Sequence, residues 1–168
     1  MTERVPAPGG LALVEALVNT LDIESGADAL DSAEGRARFG ITPEETGPAR
    51  TLRESLRAVL LAHAGHPPHH EVRPLGDLLA GAPLVVTVDT TDGSAALAPT
   101  DGRTLHARVA AAVAEALVAG TWTRLKACEA GDCHWAYYDR SPAGRGRWCS
   151  MQVCGARAKM RRYRAKEV

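Results

Sequence analysis

Aromatic residues are scarce in this chain: three Trp, three Tyr and one Phe among 168 residues, 4% of the total. Any core must therefore rest on Leu, Val and Ala. Cysteine is scarce as well, and four in this length are too few for a disulfide-stapled scaffold. No apolar run approaches the ~20 residues that a membrane-spanning helix needs, and the opening MTERVPAPGG lacks the basic start and continuous apolar stretch of a secretion signal. No membrane role is expected, and the chain is expected in the cytoplasm, where thiols stay reduced. What is present is ordinary: 45% hydrophobic and 24% charged residues, enough for a globular core and incompatible with wholesale disorder or a collagen-like fibre. The length suits one domain, or one domain with a small appended module.

Lysine is absent from residues 1–123, which hold 9 Arg and 16 acidic residues, a balance of −7. Residues 124–168 hold 11 Lys and Arg against 4 acidic residues, a balance of +7, together with all four cysteines. The formal net charge of zero thus hides an acidic body, 1–123, and a basic tail, 124–168. A cationic tail looks for an anionic partner. The alternative is a charged helix folded against the chain's own acidic part.

The apolar spacing of Leu13, Leu17 and Leu21 predicts a helix over Leu11–Leu21. Short helices or loops follow in the glycine-broken stretch from Asp22 to Gly47. From Pro48 to Ala64, Leu52, Leu56, Val59 and Leu60 share one face, with Arg53 and Arg57 expected to point away from it. The GHPPHH segment, Gly65–His70, ends that helix because paired prolines remove donors and restrict the preceding residue. Leu75–Leu79 reads as a short helix, Pro83–Asp89 as a strand, Thr91-Asp92-Gly93 as a hairpin turn and Ser94–Leu97 as the return strand. Thr100 or Asp101 is expected to cap a long helix with Leu105, Val109, Val113 and Leu117 as its buried stripe, stopped by Gly120. The fold class is α+β: a mostly helical N-terminal domain with a small antiparallel sheet, followed by a cysteine-bearing segment.

The cysteines are spaced Cys128-x4-Cys133-x15-Cys149-x4-Cys154. Each short loop folds two thiolates towards one point, and the insert carries the chain back to set the second pair opposite. Zn²⁺ takes four such ligands tetrahedrally at ~2.3 Å and adds no redox chemistry. Gly131 lies inside the first loop and Gly155 directly follows the last ligand, where tight turns need a permissive backbone. Trp135, Tyr137, Tyr138 and Trp148 concentrate four of the seven aromatics into an expected mini-core. A module of ~40 residues buries little surface, and a structural metal supplies the missing stability. Two disulfides conflict with a reducing compartment. A catalytic zinc keeps an open position that four cysteines would close. An iron–sulfur cluster also accepts four cysteines, and His134, beside Cys133, could replace one ligand.

The stretch from Cys128 to the C-terminus closely resembles the CGNR zinc finger. The matching elements are the two C-x4-C pairs, Asp139-Arg140-Ser141, Arg147-Trp148-Cys149-Ser150 and Cys154-Gly155-x-Arg157-x-Lys159. The name-giving tetrapeptide reads Cys154-Gly155-Ala156-Arg157, so an alanine stands where the family has asparagine. That module ends a family of bacterial proteins described as stress-induced transcription regulators. The body resembles the family's companion domain through Leu17-Val18-Asn19-Thr20-Leu21-Asp22 and Asp28-x-Leu30. The resemblance implies zinc binding and DNA binding.

After Gly155, a segment free of Gly and Pro carries Arg157, Lys159, Arg161, Arg162, Arg164 and Lys166 and is built from helix formers. Arg157, Arg161 and Arg164 share a face, and Met160 and Tyr163 are the expected inward anchors. Lys and Arg neutralise backbone phosphates, and Arg also grips guanine edges, so DNA is the expected partner, with Arg145 and Arg147 of a flexible insert as further contacts. Four thiolates and one Zn²⁺ add −2 and leave the tail at +5. The competing class is a protein-interaction module in which zinc only staples the fold and the helix meets an acidic protein surface. A homodimer is compatible with either.

An enzyme is not expected. Asn19, Thr20 and Asp22 could line a ligand pocket, although Asn–Thr–Asp near a helix end commonly caps and packs. His63, His66, His69 and His70 suggest a metal cluster but straddle two prolines, which favours a solvated loop. No serine–histidine–acid set, phosphate-cradling glycine loop or paired catalytic carboxylates are present.

Overall fold

The longest element is a helix of 18 residues that sits at the centre of the molecule because it carries apolar side chains on one face and three buried polar ones on another. The computed structural model describes residues 5–165. In chain order the elements are α1 (Leu11–Val18), α2 (Ala33–Ala37), α3 (Thr46–His63), α4 (Leu75–Leu79), β1 (Leu84–Val88), β2 (Ala95–Pro99), α5 (Leu105–Val118), β3 (Leu125–Ala127), β4 (Ala136–Tyr138) and α6 (Ala156–Arg164). Two small antiparallel sheets result, β1 with β2 and β3 with β4. The α+β class read from the sequence is what the chain adopts.

One core joins the helices. Leu11, Val14, Leu17 and Val18 of α1 meet Leu52, Leu56, Leu60 and Leu61 of α3 and Leu105, Val109, Ala112 and Ala116 of α5, with Leu30 and Phe39 from the connecting segment. The buried face of α1 is therefore set by Leu11, Val14 and Val18 beside Leu17. Leu13 is only half-buried, and Leu21 lies past the helix in an isolated bridge to Asp28. On α5 the expected stripe shifts: alanines at 107, 110, 112, 114 and 116 are buried while Leu117 is exposed. Small side chains let α5 approach its neighbours closely, and that pulls the alanine-rich face inward. Its N-cap is Thr104, whose hydroxyl accepts from the Ala107 amide at 3.1 Å, rather than Thr100 or Asp101. Gly120, at a φ of 67°, ends it.

The β1–β2 hairpin pairs Leu84 with Pro99, Val86 with Leu97 and Val88 with Ala95. Gly93, at a φ of 72°, takes the left-handed position that its turn requires. By contrast, β3 and β4 enter the main core: Leu125, Ala127 and Ala136 belong to the same buried cluster as the N-terminal helices, and Tyr138 packs against it. The expected aromatic mini-core thus divides, because Tyr138 serves the body while Trp148 packs on the cysteines.

Candidate metal centre and basic helix

The strand β3 runs directly into Cys128, which is fully buried, and a tight loop then brings Cys133 back beside it. The loop closes because the amides of Cys133 and His134 both donate to the Ala130 carbonyl. The second pair follows the insert. Ser150 caps a π-type turn, Met151–Gly155, by accepting from the Val153 amide at 3.3 Å, and this turn carries Cys154 inward. None of the four cysteines forms a disulfide. Their sulfurs lie within 4.8 Å of one another, with Cys133 to Cys149 at 3.6 Å and Cys149 to Cys154 at 3.7 Å. A regular tetrahedron with metal–sulfur bonds of ~2.3 Å has edges of about 3.8 Å, so the cluster has the size that one zinc requires. It is far from the ~2.05 Å of a disulfide.

The electrostatics agree. Hydrogen bonds from Cys128 and Cys149, with burial adding to them, push the Cys133 thiol well above its ordinary value. Burial, then the neighbouring Cys128 and Cys149, pushes Cys154 up to about 12. Four sulfurs this close resist ionising together, and a dication reverses that preference by neutralising them. His134 is not a fifth candidate: its Nδ1 lies 3.0 Å from the Cys128 carbonyl, and its left-handed backbone, φ 45°, turns the chain out of the loop.

The loop is held from the body by a buried polar network that the sequence expectation placed on the wrong side of α3. Arg53 and Arg57 do not point away; their side chains are 4% and 0% exposed. Arg57 Nη1 donates to the His134 carbonyl at 2.9 Å, Nη2 donates to the Val18 carbonyl at 2.9 Å, and Nε donates to Glu54 at 3.1 Å. Arg53 bridges Glu54 and Asp28. Burial lowers the Arg57 pKa against the pull of Glu54, and it raises Glu54, where Arg57 and Arg53 outweigh it and leave that carboxyl depressed. The signal available in the sequence was two arginines flanking a glutamate on α3 with Asp28 upstream, but nothing in periodicity says that such a set will be buried.

Asn19 and Thr20 take part in the same scaffold. Asn19 donates to the Ala136 carbonyl at 3.0 Å and accepts from the Ala136 amide at 2.7 Å, so its amide acts as a third strand beside β4. Thr20 donates to Leu17 and accepts from Arg53. Asp22 accepts from the Ser25 amide in a turn. The histidine segment also folds back instead of standing in solvent: His69 Nε2 lies 3.0 Å from Glu54, His66 lies 3.4 Å from Glu129, and His63 Nδ1 meets the Leu125 carbonyl at 2.8 Å. Glu54, His69 and His70 come within ligating distance of each other, but Arg53 and Arg57 already occupy Glu54 and their charges oppose a cation.

Hydrogen bonds with buried groups hold the insert. Buried Lys126 and Asp139 pair at 2.9 Å; Asp139 also accepts from the amides of Ser141 and Gly146, and Lys126 donates to the Gly144 carbonyl. Burial raises the Asp139 pKa, but the hydrogen bonds from Ser141, Lys126 and Gly146 outweigh it and hold the carboxyl far below its ordinary value. Arg140 donates to the carbonyls of Val5 and Pro6. Arg145 is exposed on this insert. Arg147 pairs with Glu129 and lies over the Trp148 ring.

The helix α6 leaves the metal cluster through Gly155 and buries none of its residues. Met160 and Tyr163, expected as inward anchors, are 53% and 61% exposed, because α6 packs none of its side chains into the body. Arg157, Lys159, Arg161, Arg162 and Arg164 are all exposed. Arg157 meets Glu24 at 3.2 Å and comes within 4.0 Å of Asp132, which is 3.9 Å from Arg161. Lys166 lies outside the described residues. Among the described residues no helix is long and apolar enough to cross a membrane.

Two family models match the chain. Residues 124–167 match the model of the CGNR zinc finger. Residues 11–120 match the model described as ABATE, putative stress-induced transcription regulator. No curated protein matches the chain.

Proposed function

We propose, from the premise that the chain belongs to the ABATE family of putative stress-induced transcription regulators and ends in a CGNR zinc finger, that it is a cytoplasmic DNA-binding regulator rather than an enzyme. One structural zinc held by Cys128, Cys133, Cys149 and Cys154 fixes the start of α6. The observation that carries the reading is the nine-residue α6 itself: no buried residue, five exposed cations, and an origin beside the metal cluster. A helix of that kind has no stake in the body's core and a strong one in a polyanion. Phosphates take up Lys159, Arg162 and Arg164 directly. They displace Glu24 and Asp132 from Arg157 and Arg161 at small cost, since exposed ion pairs contribute only about 0–1 kcal/mol. Arg145 and Arg147, both exposed, add backbone contacts.

A second reading is favoured by one contact. The approach of Glu24 to Arg157 shows the helix beside a carboxylate, which is how an acidic protein surface would be met. Genomic footprinting of the intact protein against a variant carrying Arg157→Gln, Arg161→Gln and Arg164→Gln separates the two. Discrete protected sites that vanish in the variant support DNA; no protected sites with either protein reject it.

A further inference from the structure

The body contains a cavity of about 810 Å³ between α1, α5 and the β1–β2 hairpin, a size within the range of small-molecule sites. At its base the hairpin packs on α5, where Leu84 lies against Ala82, Ala107 and Ala110. Farther along, α5 offers alanines at 111, 112 and 114 to the lining, and these cannot fill the gap. Val86 and Leu97, a cross-strand pair on the face that lines the cavity, are left 68% and 40% exposed. Leu13 of α1 and Ala111 of α5 complete the apolar walls.

Only two charged side chains line this space, Arg108 and Glu115. Seven residues apart on α5, they stand about 10 Å from each other along the helix axis, so charge along the trough runs from positive to negative. Arg108 gives one nitrogen to the Phe39 carbonyl, while its buried Nε has no acceptor. Among the described residues no carboxylate forms an ion pair with it. An arginine with no counter-charge, lining an apolar trough, is a place for an anionic head. Glu115 repels such a head from the other end and fixes its direction. The absence of aromatic side chains in the lining favours a flexible aliphatic tail over a stacked ring.

We propose that this trough binds an aliphatic monocarboxylate of medium chain length, with the carboxylate at Arg108 and the tail laid between Ala111 and the Val86–Leu97 pair. The tail covers apolar surface that the fold leaves open, and the head supplies the counter-charge that Arg108 lacks. The site is independent of what α6 binds, so its failure and the failure of the DNA reading are separate events.

Isothermal titration of the zinc-loaded full chain with octanoate and with octan-1-ol tests it. Octanoate is expected to bind one per chain and at least about tenfold more tightly than the alcohol, the scale of a charge-assisted hydrogen bond. Arg108→Gln is expected to remove that difference. Ala111→Phe, which leaves Arg108 in place, is expected to abolish binding of both while circular dichroism stays that of the parent. Equal affinity for acid and alcohol, binding that survives Ala111→Phe, or no binding of either probe because a second copy of the chain covers the hairpin would each overturn the proposal.

Discussion

Arg57, buried on α3, donates to the carbonyl of His134 at 2.9 Å, and His134 directly follows a cysteine of the metal cluster. The body and the zinc loop are thereby joined through one guanidinium that also holds Val18 and Glu54. A buried arginine with three acceptors is costly to desolvate and costlier to delete, because its partners remain.

Arg57→Met is therefore expected to destabilise the protein by about 3–5 kcal/mol, the usual effect of breaking one side of a buried ion pair. Urea unfolding followed by circular dichroism measures it. The same variant is expected to bind zinc less tightly in a competition with a chelator, since the loop carrying Cys133 loses its tether. A loss below about 1 kcal/mol, the size of an exposed pair, would mean that the guanidinium is not buried as described.

Asp139 predicts an acid-sensitive term. Its folded pKa lies below the unfolded value, so its contribution is fully present above about pH 4 and is lost as pH falls through the depressed folded value. Asp139→Asn leaves Lys126 charged and buried without its partner, at a cost of about 3–5 kcal/mol at neutral pH. The difference between parent and variant is expected to shrink as pH falls below about 4. Denaturant midpoints taken at pH 7 and at successively lower values check the sign.

Metal removal should act locally. Because α6 has nine residues and buries none of them, it is too short to persist alone, and its anchor is the turn that carries Cys154. With a strong chelator, the amides of residues 156–164 are expected to lose their hydrogen-exchange protection while those of Leu56 and Leu60, in the shared core, keep theirs. Cys149→Ser should lower the zinc content of purified protein from one ion per chain and give the same exchange pattern. Unchanged protection in α6 would detach the helix from the metal.

Much of this was legible beforehand, for a physical reason. The cysteine spacing encodes its own closure, and the hairpin's Asp-Gly turn encodes its register, since both depend on a few neighbouring residues. Periodicity located the helices but not always their buried faces. On α5 the alanines turned inward and Leu117 outward, because close helix packing favours small side chains. Arg53 and Arg57 were misplaced for a related reason: charge alone predicts exposure, and only the tertiary meeting of Glu54, Asp28 and two backbone carbonyls makes burial tolerable. Met160 and Tyr163 failed in the opposite direction, since a helix with no surface to lie on has no inward face.

The central claim is that the metal-anchored cations of α6 meet the phosphates of a duplex, and the salt dependence of binding measures it most directly. Fluorescence anisotropy on a labelled duplex should give a log–log slope near −0.9 for each phosphate neutralised, and replacing Arg157, Arg161 and Arg164 together should make that slope about three units less steep. Affinity that ignores both salt and the triple replacement would contradict the account.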